Sequence, residues 1–454
     1  MVDKGENTSL TRVLLRVALP IALQGLIASS LNLVDNLIVG RLGETALASV
    51  GLSVQIFFVH WMVLFGFSSG AATFMAQFWG KRDLANIRKT VGVAVTCCFT
   101  VSLLLFFLPV MLVPERILGI FTNIPAVIEA GSGFVRINAI TFLTVSFTVP
   151  FTAALRATQQ TSIPLKISIV VFGLNTLLNY MFVYGNFGAP ALGVRGSALA
   201  TAISRATELC LILFAVFGRR NMIAGAVREF MLWNKALFGK ITGNAWPTTL
   251  NETLWGLGSS MYNAAYGRIG ITAFAAVQAG GTIQNLFMLA CFSLGEATLI
   301  IVGEKLGRGD LEDATMTARK IMKICVLVGL VAGALLFAAS RAIVLLFELT
   351  PTGAEYVRLI LMIYSLFLVV KIFNSAIITG VLRCGGDTKF AMFAEVGAVW
   401  CIGVPLAFIG ALWLRLPVYF VVLLVHVEEF VKMFLMGYRF LSDKWVRNLV
   451  RDVE

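Results

Sequence analysis

Two stretches of 24 residues decide how this chain folds. Residues 20–43 read PIALQGLIASSLNLVDNLIVGRLG, and residues 247–270 read PTTLNETLWGLGSSMYNAAYGRIG. Each begins with a proline, ends in Gly-Arg-X-Gly, and is long enough to cross a bilayer as a helix. Corresponding residues lie 227 positions apart, and similarity at a fixed spacing indicates a repeated structural unit.

The same spacing relates motifs outside these two stretches. The further pairs are Gly80 and Gly307, Asp83-Leu84 and Asp310-Leu311, Leu155-Arg156 and Leu382-Arg383, and Thr161 and Thr388. Because the offset stays constant across separate regions, we interpret the chain as two copies of one unit in tandem.

Composition places the repeated unit in a membrane. Of the 454 residues, 58% are apolar and only 13% are charged, whereas soluble proteins carry about 25% charged residues. The seven cysteines form no Cys-X-X-Cys pair and there are only two histidines. These counts argue against a disulfide scaffold and against a histidine-rich metal site. The composition also excludes a disordered chain and a nucleic-acid-binding protein.

Twelve apolar runs are long enough to cross the bilayer as helices, which satisfy their own backbone hydrogen bonds. The predicted spans are 13–39, 49–78, 91–113, 131–155, 166–186, 197–217, 241–267, 275–302, 320–340, 356–382, 389–412 and 416–437. Six spans per copy is an even number, so both copies enter the membrane from the same side and the repeat is parallel. The expected fold is therefore all-α, with two six-helix lobes.

The basic residues predict the orientation, because cytoplasmic loops are enriched in Lys and Arg. With the N-terminus inside, the cytoplasmic segments and adjoining span ends hold 26 of the 36 Lys and Arg residues, against eight on the other side. We therefore expect both termini in the cytoplasm. The expected domains are an N-terminal lobe of residues 1–217, a cytoplasmic linker of residues 218–240 and a C-terminal lobe of residues 241–454.

Five motifs are similar to those of the multidrug and toxic compound extrusion (MATE) family of transporters. They are Pro20 to Gly43 with its inner Asp35, Gly80-Lys81-Arg82-Asp83, Asn175-Thr-Leu-Leu-Asn179, GSALATAIS from Gly196 to Ser204, and Leu382-Arg383-Cys-Gly-Gly-Asp387-Thr388. The resemblance covers nearly the whole chain. It implies a V-shaped bundle of two lobes around a central cleft. It also implies the export of organic, often cationic, compounds driven by proton or sodium entry.

Asp35 is the residue that we expect to couple transport to an ion. A carboxylate inside a membrane helix costs about 2.5–3.5 kcal/mol to insert, and Asp35 shares a polar face with Gln24, Ala28 and Asn32. It could carry a proton, or hold a sodium ion with neighbouring oxygens. The alternative is a structural Asp that is hydrogen-bonded to Asn side chains. Pro20 permits a kink and is the expected bend of this helix.

Three further residues complete the predicted ion site. Asn175 and Asn179 are four residues apart and share a helix face, and Thr201 lies near the start of the sixth span. The resemblance implies that they surround Asp35, and that proton-coupled relatives often have Asp at the position of Asn179. Asn179 cannot titrate, so Asp35 is the only acid of this set. Ordinary interhelical hydrogen bonds are the alternative role.

The seventh span carries most of the predicted substrate site. A carboxylate beside aromatic rings suits an organic cation, and such residues recur at helical spacing there. The predicted substrate-contacting residues are Gln24, Asn32, Glu252, Trp255, Ser259 and Tyr262. The alternative for Glu252 is an ion pair with a cation such as Lys371, which could instead neutralise Glu296.

These features predict a secondary active antiporter that exports drugs or toxins across the plasma (inner) membrane. Its expected partners are a small organic substrate and the bilayer, with no nucleic acid, and the resemblance implies a monomer. The sequence has no nucleotide-binding loop, catalytic triad or metal cluster. We therefore expect neither an enzyme nor a cofactor, apart from the coupling proton or sodium ion.

Two alternatives remain from the sequence. The first is a flippase for a lipid-linked sugar precursor, which would favour cations in the lumen to hold a pyrophosphate. Only Arg205 and Lys371 fall in the middle of predicted spans. The second is a membrane receptor or enzyme, although a receptor would not need a twofold repeat.

Overall fold

The computed structural model describes residues 10–345 and 350–451, and all regular structure in those ranges is helical. The helices of the first half are α1 (Leu10–Gly40), α2 (Glu44–Lys81), α3 (Leu84–Leu112), α4 (Pro114–Gly119), α5 (Pro125–Asn138), α6 (Ile140–Ala157), α7 (Ser162–Tyr184) and α8 (Val194–Gly218). Those that follow are α9 (Val227–Met231), α10 (Lys235–Gly267), α11 (Ile271–Arg308), α12 (Leu311–Val344), α13 (Pro351–Leu382), α14 (Thr388–Trp413), α15 (Val418–Val425) and α16 (Val427–Leu441). The predicted all-α fold class is confirmed.

Within the described ranges, ten helices are long and apolar enough to cross a membrane: α1, α2, α3, α6, α7, α8, α11, α12, α13 and α14. The other two predicted spans are helical as well, but they are more polar or interrupted. Residues 241–267 lie in α10, and residues 416–437 are divided between α15 and α16 at His426. The predicted span 131–155 is also divided, between α5 and α6.

The repeat of 227 residues is present in the backbone. Helices α2 and α11 both contain 38 residues, and they begin and end 227 positions apart. Residues with left-handed φ angles recur at the same spacing: Gly43 (108°) and Gly270 (148°), Arg82 (62°) and Gly309 (89°), Gln159 (60°) and Gly386 (74°). Glycine adopts this conformation without steric cost. The second copy has glycine at all three positions, whereas the first copy does not.

The residue contacts divide the chain into two compact units. The C unit comprises Met1–Ala22, Ala76–Lys81 and Trp246–Glu454, and the N unit comprises Leu23–Met75 and Arg82–Ala245. Each unit has its own apolar core. Buried members of the N-unit core include Val39, Val50, Phe134 and Phe142. Buried members of the C-unit core include Leu336, Ile360, Leu361 and Val421.

The segment predicted as a linker, residues 218–240, contains α9, which packs against α3 within the N unit. A Cβ atom added to Gly92 would collide with the carbonyl oxygen of Phe230, so the two backbones are in close contact. Arg88 Nη1 lies 2.5 Å from Glu229 Oε2. Hydrogen bonds from the Ala226 backbone N–H and from Arg88 hold the pKa of Glu229 below its usual range. This part of the segment is therefore docked, and its role as a domain boundary stays a prediction.

A pair of glycines from the two repeats allows α2 and α11 to approach closely within the C unit. A Cβ atom on Gly80 would collide with the carbonyl oxygen of Glu304, and one on Gly307 would collide with that of Gln77. The Gln77 side chain is fully buried, and its Nε2 donates to the carbonyl oxygen of Cys384 at 2.7 Å. The neighbouring atoms are backbone atoms, so they cannot move aside cheaply.

We expect Gly80→Ala to destabilise the protein. Overpacking a closely packed contact costs about 1–3 kcal/mol, which should lower the thermal unfolding midpoint of the detergent-solubilised protein. Gly397→Ala is the matched control, since a Cβ atom at Gly397 of α14 meets no atom within 4 Å. Equal midpoints for the two variants would contradict the close contact.

Candidate functional site

A polar cluster in the N unit joins α1 to α7. Asp35 is half-buried on α1, whereas Asn175 and Asn179 are buried on α7. Asn179 Nδ2 donates hydrogen bonds to Asp35 Oδ1 (2.9 Å) and to Asn175 Oδ1 (2.9 Å). The structure thus brings together three of the four residues predicted for the ion site.

The cluster has oxygen atoms that could bind a cation. Asn179 Oδ1 is buried and accepts no hydrogen bond from the described part of the chain. Hard cations prefer carboxylate and amide oxygens as ligands, so the chemistry of these side chains fits a sodium ion as well as a proton. Thr201 is half-buried on α8, and within residues 10–345 and 350–451 no hydrogen bond joins it to this cluster.

Arg205 is a charged neighbour of Asp35 whose role the sequence did not predict. Its Nη1 lies 2.8 Å from Glu208 Oε2, three residues further along α8. Its positive charge also acts on Asp35. A nearby cation offsets part of the cost of a carboxylate in a membrane helix. The only sequence signal was an Arg and a Glu three residues apart in an otherwise apolar span.

The remaining predicted residues of the first span occupy different surroundings. Gln24 Oε1 accepts a hydrogen bond from Arg156 Nη2 at 2.5 Å, within the N unit. Asn32 is exposed. Pro20 lies inside α1, which continues as a helix on both sides of it. Roles for Gln24 and Asn32 in substrate contact, and for Pro20 in bending, stay predictions.

The C unit contains a cavity of about 270 Å³. Four predicted substrate residues line it from α10: Glu252, Trp255, Ser259 and Tyr262. Side chains from α11, α13, α14, α15 and α16 form the other walls, among them Gln284, Lys371, Glu395, His426 and Lys432. The helical face that the sequence predicted is thus gathered at one cavity. Gln24 and Asn32 are not among its lining residues.

Glu252 is paired with a cation, as the alternative interpretation of its role predicted, but that cation is Arg383 and not Lys371. Arg383 Nη2 donates to Glu252 Oε1, and Arg383 is 1% exposed. Arg383 stood out in the sequence as part of a motif after the tenth span, but nothing in that motif showed which acid it would meet. Arg383 and Arg156 are equivalent in the repeat, and each contacts a side chain of the first helix of its own copy, Glu252 or Gln24.

A second charged group lies where α10, α13 and α16 meet. Lys432 Nζ is 3.1 Å from Glu428 Oε1 and 3.1 Å from Glu429 Oε1. The Tyr262 hydroxyl donates to Glu428 Oε2 at 2.5 Å, and Asn374 Nδ2 donates to Glu429 Oε2 at 2.9 Å. All three charged side chains are buried. The pair of Glu429 with Lys432 therefore belongs to the cavity and is not an ordinary solvated pair.

The helices that carry the cavity's charged and polar side chains include the two predicted spans that are not among the ten long apolar helices of the described ranges. Helix α10 carries Asn251, Glu252 and Tyr262, and α16 carries Glu428 and Lys432. Charged residues inside a membrane almost always face the interior of the bundle or a cavity. The polar residues of the seventh predicted span and the charged residues of the twelfth were therefore the sequence signal for this cavity.

Comparison with known proteins agrees with the repeat and the fold. The sequence pattern of the family described as MatE matches residues 20–181 and residues 247–409. The two matches begin 227 residues apart, as the internal repeat requires. Together they cover more than half of the chain.

Individual relatives are similar over almost their whole length. The probable multidrug resistance protein NorM of Thermotoga maritima is 25% identical, over 99% of this chain and 96% of that protein. The multidrug resistance protein NorM of Burkholderia vietnamiensis is 27% identical, over 86% of this chain and 85% of that protein. An outward-facing structure of a multidrug resistance MATE family transporter has a TM-score of 0.86 at 17% identity, and the match covers 97% of this chain and 100% of that one.

Proposed function

The chain belongs to the MatE family of multi-pass membrane transporters for multidrug efflux, and on this premise we propose that it is a secondary active antiporter. It exports organic compounds that carry a positive charge, in exchange for protons or sodium ions. The observation that supports this most is the cluster of Asp35, Asn175 and Asn179. It holds one acid inside an apolar helix and no second acid, so a single monovalent cation would neutralise it.

In the proposed mechanism the coupling ion enters from outside and binds at Asp35. Its positive charge competes with the hydrogen bond that Asn179 donates to the carboxylate, and this changes the contact between α1 and α7. An ion can shift a conformational equilibrium only if it binds the two conformations with different affinity. The change in this contact would supply that difference, with Pro20 as the bend in α1.

The C-unit cavity is the proposed substrate site. Trp255 and Tyr262 lie in its wall beside acidic side chains, and cations are attracted both to carboxylates and to aromatic faces. Glu252, Glu428 and Glu429 are paired with cations, which leaves Glu395 among the lining acids to receive a positive charge.

The setting of the protein is proposed from its charge distribution. The excess of Lys and Arg in alternate loops favours a plasma (inner) membrane protein with both termini in the cytoplasm. We propose that it acts as a monomer without a bound cofactor or a nucleic-acid partner. The gradient of the coupling ion then provides the driving force.

Proteoliposomes loaded with a fluorescent organic cation test the function. We expect export when a proton or a sodium gradient is imposed, and none when both gradients are absent. A failure of export under either gradient would contradict the antiport and would make translocation of a lipid-linked sugar the next activity to assay.

Asn179→Leu should identify the coupling ion. The variant removes a hydrogen bond to a charged group, worth about 1.5–3 kcal/mol, and it also removes an amide oxygen. If sodium is the coupling ion, the half-activating sodium concentration should rise about tenfold or more, since a ligand is lost. If protons couple, the half-activating proton concentration should fall, because the donor that favours the charged carboxylate is lost.

The control for this variant is Asn36→Leu, which changes an exposed residue next to Asp35 on α1. It should leave the half-activating concentration of either ion unchanged. An unchanged value in Asn179→Leu as well would contradict the role of Asn179 in ion binding.

A further inference from the structure

In the described part of the chain, seven charged side chains lie around the C-unit cavity, and five of them are paired with one another. The cations are Lys371, Arg383 and Lys432, and the acids are Glu252, Glu395, Glu428 and Glu429. Arg383 pairs with Glu252, and Lys432 bridges Glu428 and Glu429. Two groups have no such pair, and they have opposite charges.

Lys371 is the unpaired cation. It lies on α13 in the wall of the cavity, and no hydrogen bond or ion pair joins its ammonium group to any residue that the structure describes. Glu429, Lys432 and Glu428 act on it electrostatically, but no ion pair joins Lys371 to either acid. An ammonium group has three donors and no acceptor, so three hydrogen bonds of Lys371 are not satisfied by these parts of the chain.

Glu395 is the unpaired acid. It lies on α14 in another wall of the same cavity, and its Oε2 accepts a hydrogen bond from Asn251 Nδ2 at 2.6 Å. Among the described residues no cation lies within ion-pair distance of it. Within the described residues Lys371 and Glu395 form no ion pair with each other, and they line the cavity from different helices, α13 and α14.

A second polar atom lies near one of the two unpaired groups. Ser375, which also lines the cavity, is one helical turn after Lys371 on α13, and its buried Oγ has no hydrogen-bond partner in the described ranges. The α13 wall of the cavity thus offers hydrogen-bond donors, whereas Glu395 on α14 offers carboxylate oxygens as acceptors.

The wall of the same cavity also contains aromatic side chains, Trp255, Tyr266, Phe292 and Tyr364. A volume of about 270 Å³ lies just below the usual range of ligand pockets, roughly 300–1,000 Å³. The cavity therefore suits a compound with one aromatic ring system better than a large drug.

We propose that this cavity binds a dipolar aromatic compound, with an ammonium group held by Glu395 and a carboxylate held by Lys371 and Ser375. A purely cationic ligand would leave the Lys371 ammonium unpaired, and a purely anionic ligand would leave Glu395 unpaired. A charge that is removed from water without a partner is costly. A ligand with both groups satisfies both ends. This inference rests on the proposed transport function and narrows its substrate class.

Three related probes test the proposal: tryptophan, tryptophan methyl ester and indole-3-propionate. They share one ring system and carry, respectively, both charges, the ammonium alone and the carboxylate alone. Binding of each radiolabelled probe to the purified full-length chain in detergent is measured by scintillation proximity. We expect tryptophan to bind at least about tenfold more tightly than either of the others, which is the effect of 1.4 kcal/mol.

Two variants assign the ends of the site. Lys371→Met should lower the affinity for tryptophan to the level of the methyl ester, and the affinity for the ester should not change. Glu395→Gln should lower the affinity for tryptophan to the level of indole-3-propionate, and the affinity for indole-3-propionate should not change. Lys371→Arg keeps the charge and should keep the preference for tryptophan. The thermal unfolding midpoint of each variant shows whether it is folded.

The proposal is overturned if the ester binds as tightly as tryptophan, if none of the probes binds, or if Lys371→Met weakens all three probes equally. These measurements need no ion gradient. Loss of gradient-driven export with intact tryptophan binding would contradict the antiport and not the dipolar site. Gradient-driven export without any preference for tryptophan in the binding assay would contradict the dipolar site and not the antiport.

Discussion

Asp35→Asn should abolish gradient-driven export in proteoliposomes. Asparagine keeps the shape of the side chain and its hydrogen bond with Asn179, but it cannot take up a proton or contribute a negative charge to a sodium site. The initial rate of export under an ion gradient should fall at least about tenfold, the factor that corresponds to 1.4 kcal/mol of lost ion affinity. The rate is measured with a fluorescent organic cation under separate proton and sodium gradients.

A matched acid keeps this test specific. Glu312→Gln changes an exposed residue in the first turn of α12 and should leave the export rate unchanged. Export by Asp35→Asn at the wild-type rate would contradict ion coupling at this residue.

Arg383→Met should cause the largest loss of stability of any substitution discussed here. The Arg383 side chain is almost entirely buried and donates to the carboxylate of Glu252, which is also buried. Removing one partner of a buried ion pair leaves an uncompensated charge and costs about 3–5 kcal/mol. The cost is measured as the change in the free energy of unfolding in mixed detergent micelles.

The double variant Arg383→Met/Glu252→Gln separates the charge from the packing. If the lost stability comes from the unpaired Glu252 carboxylate, removing that charge should restore at least half of it, because a neutral amide is cheaper to bury. If the double variant is as unstable as Arg383→Met, the loss comes from packing and the importance of the ion pair is contradicted.

The repeat and the cluster in the N unit were predictable from the sequence for the same physical reason. Both depend on residues whose spacing along the chain determines their spacing in space. Gly43 and Gly270 immediately precede equivalent helices, α2 and α11, because the copies are equivalent, and Asn175 and Asn179 share a helix face because they are four residues apart. The resemblance then connected this face to Asp35, and the structure places the three side chains in one hydrogen-bonded group.

The pairing of charges in the C unit was not predictable in this way. Glu252 had several cations within its half of the chain, and only the tertiary packing brings Arg383 and not Lys371 to it. Glu429 and Lys432 are three residues apart, which is the spacing of an ordinary ion pair on a helix surface. Because a buried pair can have the same spacing, the sequence did not show that this pair is buried. The contact of α9 with Gly92 likewise depends on the close approach of two backbones. The only trace of that contact in the sequence is the glycine itself, and a glycine does not show which segment packs against it.

The most direct test of antiport is whether the organic substrate and the ion drive each other in opposite directions. Wild-type protein is reconstituted into liposomes that contain a fluorescent indicator for protons or sodium ions, with equal ion concentrations on both sides. Adding the organic cation outside should drive the coupling ion out of the liposomes as the substrate enters. Ion movement in the same direction as the substrate, or substrate entry with no movement of either ion, would contradict the antiport.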